Sequence, residues 1–316
     1  MENKKIITVF GATGAQGGGL VRAILADKNS EFTVRAVTRD AQSEKAKNLA
    51  QLGAEIVVAD IDDQSSIKTA LEGAFGAFFV TFFWDHFSAE KEYQEVINFV
   101  NAAKEVNLQH VIWSTLEDTR NWVPLDDDRM PTLQGKYKVP HFDGKGAADK
   151  LFMEAGLPVT LLRTSFYWDN FIYFGMGPKK AEDGNYYIAF PMDDKKLAGI
   201  AAEDIGKCAY GVFKKSKEAI GKTIGIVGEK LSGYELATKF SEALGKNVIY
   251  NPVTPDTYRS FGFPGADDLG NMFQFYRDFN DDFNGIRNDA YSLELNPELQ
   301  TFDKWLSLNA SRIPLD

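Results

Sequence analysis

The sequence predicts an α/β fold, a doubly wound parallel sheet followed by a smaller mixed α/β C-terminal lobe, and three observations carry that prediction. Short β-branched runs alternate with helical patterns from Lys5 to about Arg163. Each run is mostly apolar, as strands covered on both faces require. A glycine cluster directly follows the first run, where such folds turn from strand into helix.

The six expected strands are Ile6–Phe10, Thr33–Val37, Glu55–Val58, Ala77–Thr81, His110–Ser114 and Val159–Arg163. Between the fourth and fifth, Tyr93, Val96, Ile97, Val100 and Ala103 recur at helical spacing, so this crossover is expected to lay one apolar stripe on the sheet. Asp143 is the expected cap of the helix before the sixth strand, and Gly156, ahead of Pro158, its expected stop. Past Arg163 the rhythm breaks into aromatic loops, short strands and helices. There Leu231–Leu244 reads as helix, Thr223–Val227 and Val248–Tyr250 as strands, and Gly262-Phe-Pro-Gly265 as a turn before another helix. The expected division is a first domain at 1–164 and a smaller lobe at 165–316 packed against it, with some segments free to return to the first sheet. No tract rich in Gly, Ser or Pro separates the two.

Composition excludes several function classes. A net charge of −10 over 316 residues leaves no basic surface for a phosphate backbone, so direct nucleic-acid binding is not expected. Cys208 is the only cysteine, and His86, His110 and His141 are scattered. Neither a disulfide framework nor a metal site is expected. The chain enters its first strand without the apolar run of a signal peptide, and no segment reaches membrane-spanning length. A cytoplasmic protein without membrane association is the expectation.

The glycine cluster is Gly11-Ala-Thr-Gly14-Ala-Gln-Gly17-Gly18-Gly19, with a helix expected to open at about Gly18. Glycines let the backbone turn tightly and approach a pyrophosphate, and the helix start adds unpaired N–H groups and a favourable dipole. The spacing is G-x-x-G-x-x-G, which draws its force from lying between a strand and a helix. A Rossmann-type nicotinamide dinucleotide site follows, with Gly11, Thr13, Gly14, Ala15, Gln16 and Gly17 as contacts and Asp60, after the third strand, joining them. The second strand ends in Thr38-Arg39, without an acidic residue for the ribose hydroxyls. A guanidinium matches a 2′-phosphate, so NADP(H) is expected over NAD(H), with Asp40 placed to neutralise Arg39. Ser216-Lys-Glu-Ala-Ile-Gly-Lys-Thr223 looks like a triphosphate loop, but it lacks the first glycine and precedes a strand that it should follow.

With this loop, Thr38-Arg39 and His141-Phe-Asp-Gly-Lys145-Gly146, the chain resembles the NmrA-like proteins, an atypical branch of the short-chain dehydrogenases. Val80-Thr-Phe-Phe-Trp84, Trp113-Ser-Thr-Leu-Glu117, Phe166-Tyr-Trp-Asp-Asn170 and the longer Gly262–Phe273 segment match as well. The resemblance implies a cofactor across the carboxyl ends of the strands. The glycine loop and Arg39 would touch its diphosphate and 2′-phosphate, Thr81 and Phe82 would wall its path, and Lys145 would bind ribose. It further implies a redox-sensing regulatory protein without strong dehydrogenase activity. Its partners would be the dinucleotide and a regulatory protein, with a homodimer as a further option. The alternative is an NADPH-dependent reductase of a small carbonyl, enone or quinone. Asp40-Ala-Gln-Ser43 lacks the extra basic residues that relatives carry there.

Active short-chain dehydrogenases work with a tyrosine, a lysine and a serine. Here Ser114 or Thr115 fits the serine and Lys145 the lysine, while the residue four before that lysine is His141. An imidazole can give up a proton near neutral pH, so His141 reads either as a proton donor or as a helix-flanking histidine bonded to backbone. Lys145 as an acid or base, and Tyr137 one turn earlier as a substitute, stay open too. Met272, Phe275, Tyr276 and Phe279, with Phe166, Tyr167 and Trp168, read as core or as a roof over the nicotinamide.

Overall fold

Strands without a polar face have to be covered on both sides, and a seven-stranded parallel sheet between two helical layers does this. The structure, a computed structural model, describes residues 4–315. The first part runs β1 (Lys5–Val9), α1 (Ala15–Ala26), β2 (Phe32–Thr38), α2 (Glu44–Gln51), β3 (Glu55–Val58), α3 (Gln64–Leu71), β4 (Gly76–Phe79), α4 (Ala89–Glu105), β5 (His110–Thr115), α5 (Pro140–Glu154) and β6 (Val159–Arg163). There follow β7 (Phe166–Tyr167), α6 (Asn170–Tyr173), β8 (Lys179–Lys180), β9 (Tyr186–Ala189), β10 (Leu197–Ile200), α7 (Ala202–Lys215), β11 (Thr223–Gly225), β12 (Glu229–Leu231) and α8 (Gly233–Leu244). The chain closes with β13 (Val248–Asn251), α9 (Pro255–Arg259), α10 (Ala266–Asp278), α11 (Asn280–Gly285), α12 (Asp289–Leu295) and α13 (Phe302–Asn309).

The main sheet has the order β11-β6-β5-β4-β1-β2-β3, with every neighbouring pair parallel. The order reverses between β1 and β4, which opens a crevice at the carboxyl ends of these strands. Each of the six expected strands is present within a residue or two of its expected bounds. The seventh, β11, returns from beyond the break in rhythm to pair with β6, Thr223 opposite Leu161. Its crossover helix α7 lies on α1 almost backbone to backbone. A Cβ on Gly206 would come 2.1 Å from the nitrogen of Leu20, and one on Gly19 2.3 Å from the carbonyl oxygen of Glu203.

Three local expectations need correcting. Helix α1 opens at Ala15, not near Gly18, because Gly17, Gly18 and Gly19 serve close packing inside the helix and are not part of the turn. Asp143 is not the residue before α5: the helix begins at Pro140, whose fixed φ suits a first turn. From inside that turn the Asp143 carboxylate accepts from the N–H groups of Thr119, Lys138 and Val139, at 2.8, 2.7 and 3.1 Å. The buried face of α4 is rotated from the expected stripe. It carries Glu92, Glu95, Val96, Phe99, Val100 and Ala103, leaving Tyr93 and Ile97 half-buried. Two carboxylates point inward, where Glu92 meets Lys145 and Glu95 meets His86. Elsewhere Gly156 adopts φ +69° and ends α5. Residues 229–231 form β12, so the following helix starts at Gly233 behind a Ser232/Glu235 capping box.

The lobe holds two three-stranded sheets, β12-β10-β7 and β13-β9-β8, around an aromatic core that includes Trp168, Phe171, Phe302 and Trp305. A fully buried ion pair helps tie it to the main sheet. Arg287 is wholly buried and meets Glu117, just past β5, through two oxygens at 2.7 and 3.2 Å. No helix among the described residues is long and apolar enough to cross a membrane.

Candidate functional site

The glycine loop crosses the carboxyl end of β1, beside β4. Gly11 takes φ +65°, in the left-handed region, and a Cβ there would press to 2.7 Å on Val80. A Cβ on Gly17 would lie 2.4 Å from the carbonyl oxygen of Gly11. Gly14 stands at the start of α1 with no side-chain hydrogen bond, so among the described residues the first-turn N–H groups have no side-chain cap.

From this loop a cavity of about 350 Å³ runs between the sheet and the lobe. Its walls are largely apolar: Val80, Phe82 to Trp84, Leu116, Phe166, Phe174, Met272 and Tyr276. Gly11, Gly14 to Gly17, Thr81, Phe82, His141 and Lys145 all line it. Thr13, Arg39, Asp60 and Ser114 do not lie in that wall. A second, shallow depression around Lys4, Lys5 and Gly73 to Phe75 lies at the amino end of β1, away from the switch point.

Lys145, on α5, donates to the Thr81 hydroxyl at 2.5 Å and forms an ion pair with buried Glu92 at 2.8 Å. Thr81 in turn donates to Glu92 at 2.7 Å. Gly144 leaves room for that carboxylate, since a Cβ would sit 3.2 Å from its Oε2. Ser114 turns elsewhere: its hydroxyl donates to Gln16 Oε1 at 2.7 Å, and Gln16 Nε2 donates to the Tyr167 hydroxyl at 2.6 Å. No hydrogen bond joins Ser114, Lys145 and His141 to one another among the described residues.

His141 is bonded to a carboxylate, which replaces the expected backbone partner. Its Nδ1 lies 2.5 Å from Asp268 Oδ1, and its own N–H donates to Asp268 Oδ2 at 3.3 Å. The ring is wedged beside Trp84, centroids 4.9 Å apart, with the edge of Phe142 on its flank. Tyr137 is buried against Phe83 and Ala89 and does not itself line the cavity. Burial, reinforced by the nearby Glu90 carboxylate, pushes its phenol up to about 12. Of the aromatic stripes, Met272, Tyr276, Phe166 and Tyr167 face the cavity, whereas Phe275 and Trp168 are core.

Arg39 is exposed and pairs at 3.2 Å with Asp85, not with Asp40. Asp40 is occupied in its own turn, accepting from the N–H of Gln42. Asp60 likewise sits in a turn, accepting from the N–H of Asp62. Nothing in the sequence marks Glu92 or Asp85 as site residues. Asp268 alone of the three carries a signal there, as part of the Gly262–Phe273 segment.

Behind Glu92 lies Glu95, buried and 3.5 Å from His86 Nε2. Burial and the neighbouring Glu92 carboxylate push Glu95 up to about 7, and burial lowers His86. The folded chain therefore holds the Glu95 proton to higher pH than the unfolded chain does. The stability this gives is complete below the ordinary glutamate value and is lost as pH climbs through about 7. Glu95→Gln is expected to match the parent near pH 4 and to be more stable by about 3 kcal/mol near pH 8. Urea midpoints at the two pH values check this; equal differences at both would refute it.

A parallel doubly wound sheet, a glycine loop at its switch point and a cavity leading from that loop define a dinucleotide-binding α/β architecture. The chain belongs to the NmrA-like family, whose model matches residues 3–306. It is 30% identical over 263 residues to the NmrA-like family domain-containing oxidoreductase malD of Malbranchea aurantiaca, covering 78% of this chain and 75% of that one. In fold it is similar to the negative transcriptional regulator NmrA, solved in complex with NADP, at TM-score 0.76 and 22% identity, covering 96% and 95% of the two chains. It is also similar to the Citrobacter sp. triphenylmethane reductase complexed with NADP(H), at TM-score 0.73 and 20% identity, covering 96% and 99%.

Proposed function

We propose that the chain is an NADP(H)-dependent reductase of a small, flat carbonyl, enone or quinone. One observation carries this reading: an apolar chamber begins at the glycine loop and ends on an imidazole held by a buried carboxylate. The loop fits a diphosphate, since it has no Cβ at Gly11 or Gly17 and leaves the start of α1 uncapped. Gly11, Thr13, Gly14, Ala15, Gln16 and Gly17 would hold the diphosphate, Arg39 the 2′-phosphate, and Lys145 the ribose beside Thr81 and Phe82. Asp60 would serve the adenosine side. When bound, the reduced nicotinamide supplies a hydride. The chain itself excludes water with its aromatic wall and fixes the Lys145 ammonium against Glu92 as an orienting charge. The oxidoreductase name of the Malbranchea relative and the NADP(H) of the triphenylmethane reductase support the same reading.

Absorbance of NADPH, followed with a panel of aromatic aldehydes, enones and quinones, tests it. Acceptor-dependent consumption is expected, and a protein that binds NADPH but consumes none with any acceptor removes the reductase reading. The exposed Arg39–Asp85 pair contributes little to stability, yet it occupies the guanidinium that a 2′-phosphate needs. Asp85→Ala is therefore expected to tighten NADPH by about 3- to 10-fold and to leave NADH unchanged. Calorimetric titration of both dinucleotides reads this directly.

A regulatory role, with cofactor occupancy read by a protein partner, is favoured by a different observation. Phe82, Tyr173 and Phe174 line the cavity and yet are exposed, which puts an aromatic rim at its mouth. That reading expects partner capture that changes with NADPH in the absence of turnover.

A further inference from the structure

We propose that His141 and Asp268 form the proton-donating pair of this site, standing where short-chain dehydrogenases place a tyrosine. The inference rests on the reductase reading and adds to it the residue that protonates the substrate and the one that positions it.

The polar groups in and beside the chamber differ in whether they leave an atom free to face a substrate. Lys145 is committed to Glu92 and Thr81. Ser114, outside the chamber wall, donates its hydroxyl hydrogen bond to Gln16. Tyr167 receives a hydrogen bond from Gln16, and burial pushes its phenol up to about 12. Burial drives the Tyr276 phenol higher still. His141 is different: Asp268 takes Nδ1, and Nε2 has no hydrogen-bond partner among the described residues, although the ring lines the cavity.

A carboxylate on Nδ1 has two consequences. It fixes the ring, so that a neutral imidazole keeps its proton on Nδ1 and presents Nε2 to the chamber. A ring protonated on both nitrogens keeps the same orientation, and its Nε2–H is then the acid that faces the chamber. As the acceptor carbon gains a hydride from the bound reductant, the carbonyl oxygen takes the Nε2 proton. The N–H electron pair stays on the imidazole, the C=O bond becomes C–OH, and solvent restores the proton. Asp268 belongs to α10 of the lobe and His141 to α5 beside the sheet, so the acid is complete only where the two parts meet. Asp268 is a positioning residue, and His141 is the one expected to touch substrate.

The test uses the full chain with an acceptor that the wild type reduces. His141→Gln is expected to lower kcat by about 100-fold or more while NADPH affinity stays within about 2-fold by calorimetry. Asp268→Asn is expected to lower kcat by about 10-fold or more. In the free protein, 15N spectra of the histidine rings supply a readout independent of turnover. The neutral His141 ring should carry its proton on Nδ1 in the wild type and lose that preference in Asp268→Asn. Full turnover in His141→Gln, or a wild-type ring protonated on Nε2 alone, overturns the pair but leaves the reductase reading intact. A wild type that binds NADPH without turning over any acceptor overturns the reductase reading, and this proposal falls with it.

Discussion

Replacing Glu117 by alanine is expected to cost the folded chain about 3–5 kcal/mol, read as a lower urea midpoint at an unchanged slope. The size follows from what would be left behind. Arg287 is fully buried, and its charge is met by one carboxylate through two oxygens. Its other partners are neutral carbonyls, those of Thr164 and Phe283, and its guanidinium lies 3.4 Å above the Phe283 ring. These cannot compensate a full charge in a site closed to water. Removing both members removes the stranded charge, so Glu117→Leu with Arg287→Met should recover most of the loss. The pair also bears on the site: Glu117 follows β5, Thr164 follows β6 and lines the cavity, and Arg287 bridges to Gly225 of β11. An unchanged midpoint in Glu117→Ala would show that the Arg287 charge does not depend on this carboxylate and that the pair does not hold the lobe to the sheet.

The parts of this molecule that sequence discloses are those set by local pattern. Buried parallel strands must be short and apolar, so β1 to β6 stand out, and a strand–glycine–helix junction reads as a loop because few other contexts need three glycines there. What sequence does not disclose depends on distant partners. Arg39 has Asp40 next to it in the chain and Asp85 next to it in space, because the turn after β4 comes back over the end of β2. His141 and Asp268 are 127 residues apart and meet only through the docking of α10 on α5. Glu92 and Glu95 look like the solvated face of an amphipathic helix. They point inward because Lys145 and His86 await them, which turns the apolar stripe of α4 away from its expected line. The placement of β11 was hidden for the same reason. Its residues read as a strand, but only α7 packed on α1 carries them to the edge of the main sheet.

Gly17→Ala is expected to weaken NADPH binding by about 100-fold or more, equivalent to roughly 3 kcal/mol, with little loss of overall stability. The smallest possible side chain suffices because its carbon would lie 2.4 Å from the oxygen and 2.7 Å from the carbon of the Gly11 carbonyl. Backbone atoms cannot rotate aside as a side chain does, so the loop itself has to move. Gly11 is exposed and held in the left-handed region, which makes it the cheaper part to displace, and α1 keeps its contact with α7. The helix gains up to about 1 kcal/mol from alanine in place of glycine, which offsets part of the strain. Loss of binding without loss of fold is the distinguishing result. Gly206→Ala should do the reverse, because its clash lies between α7 and the backbone of α1 at Leu20 and forces two packed helices apart. Gly285→Ala, which meets nothing within 4 Å, should change neither quantity. Calorimetry for NADPH and urea midpoints for the three variants separate the cases. Undiminished affinity in Gly17→Ala would mean that the diphosphate does not rest on this loop, and the site would have to be sought elsewhere along the crevice.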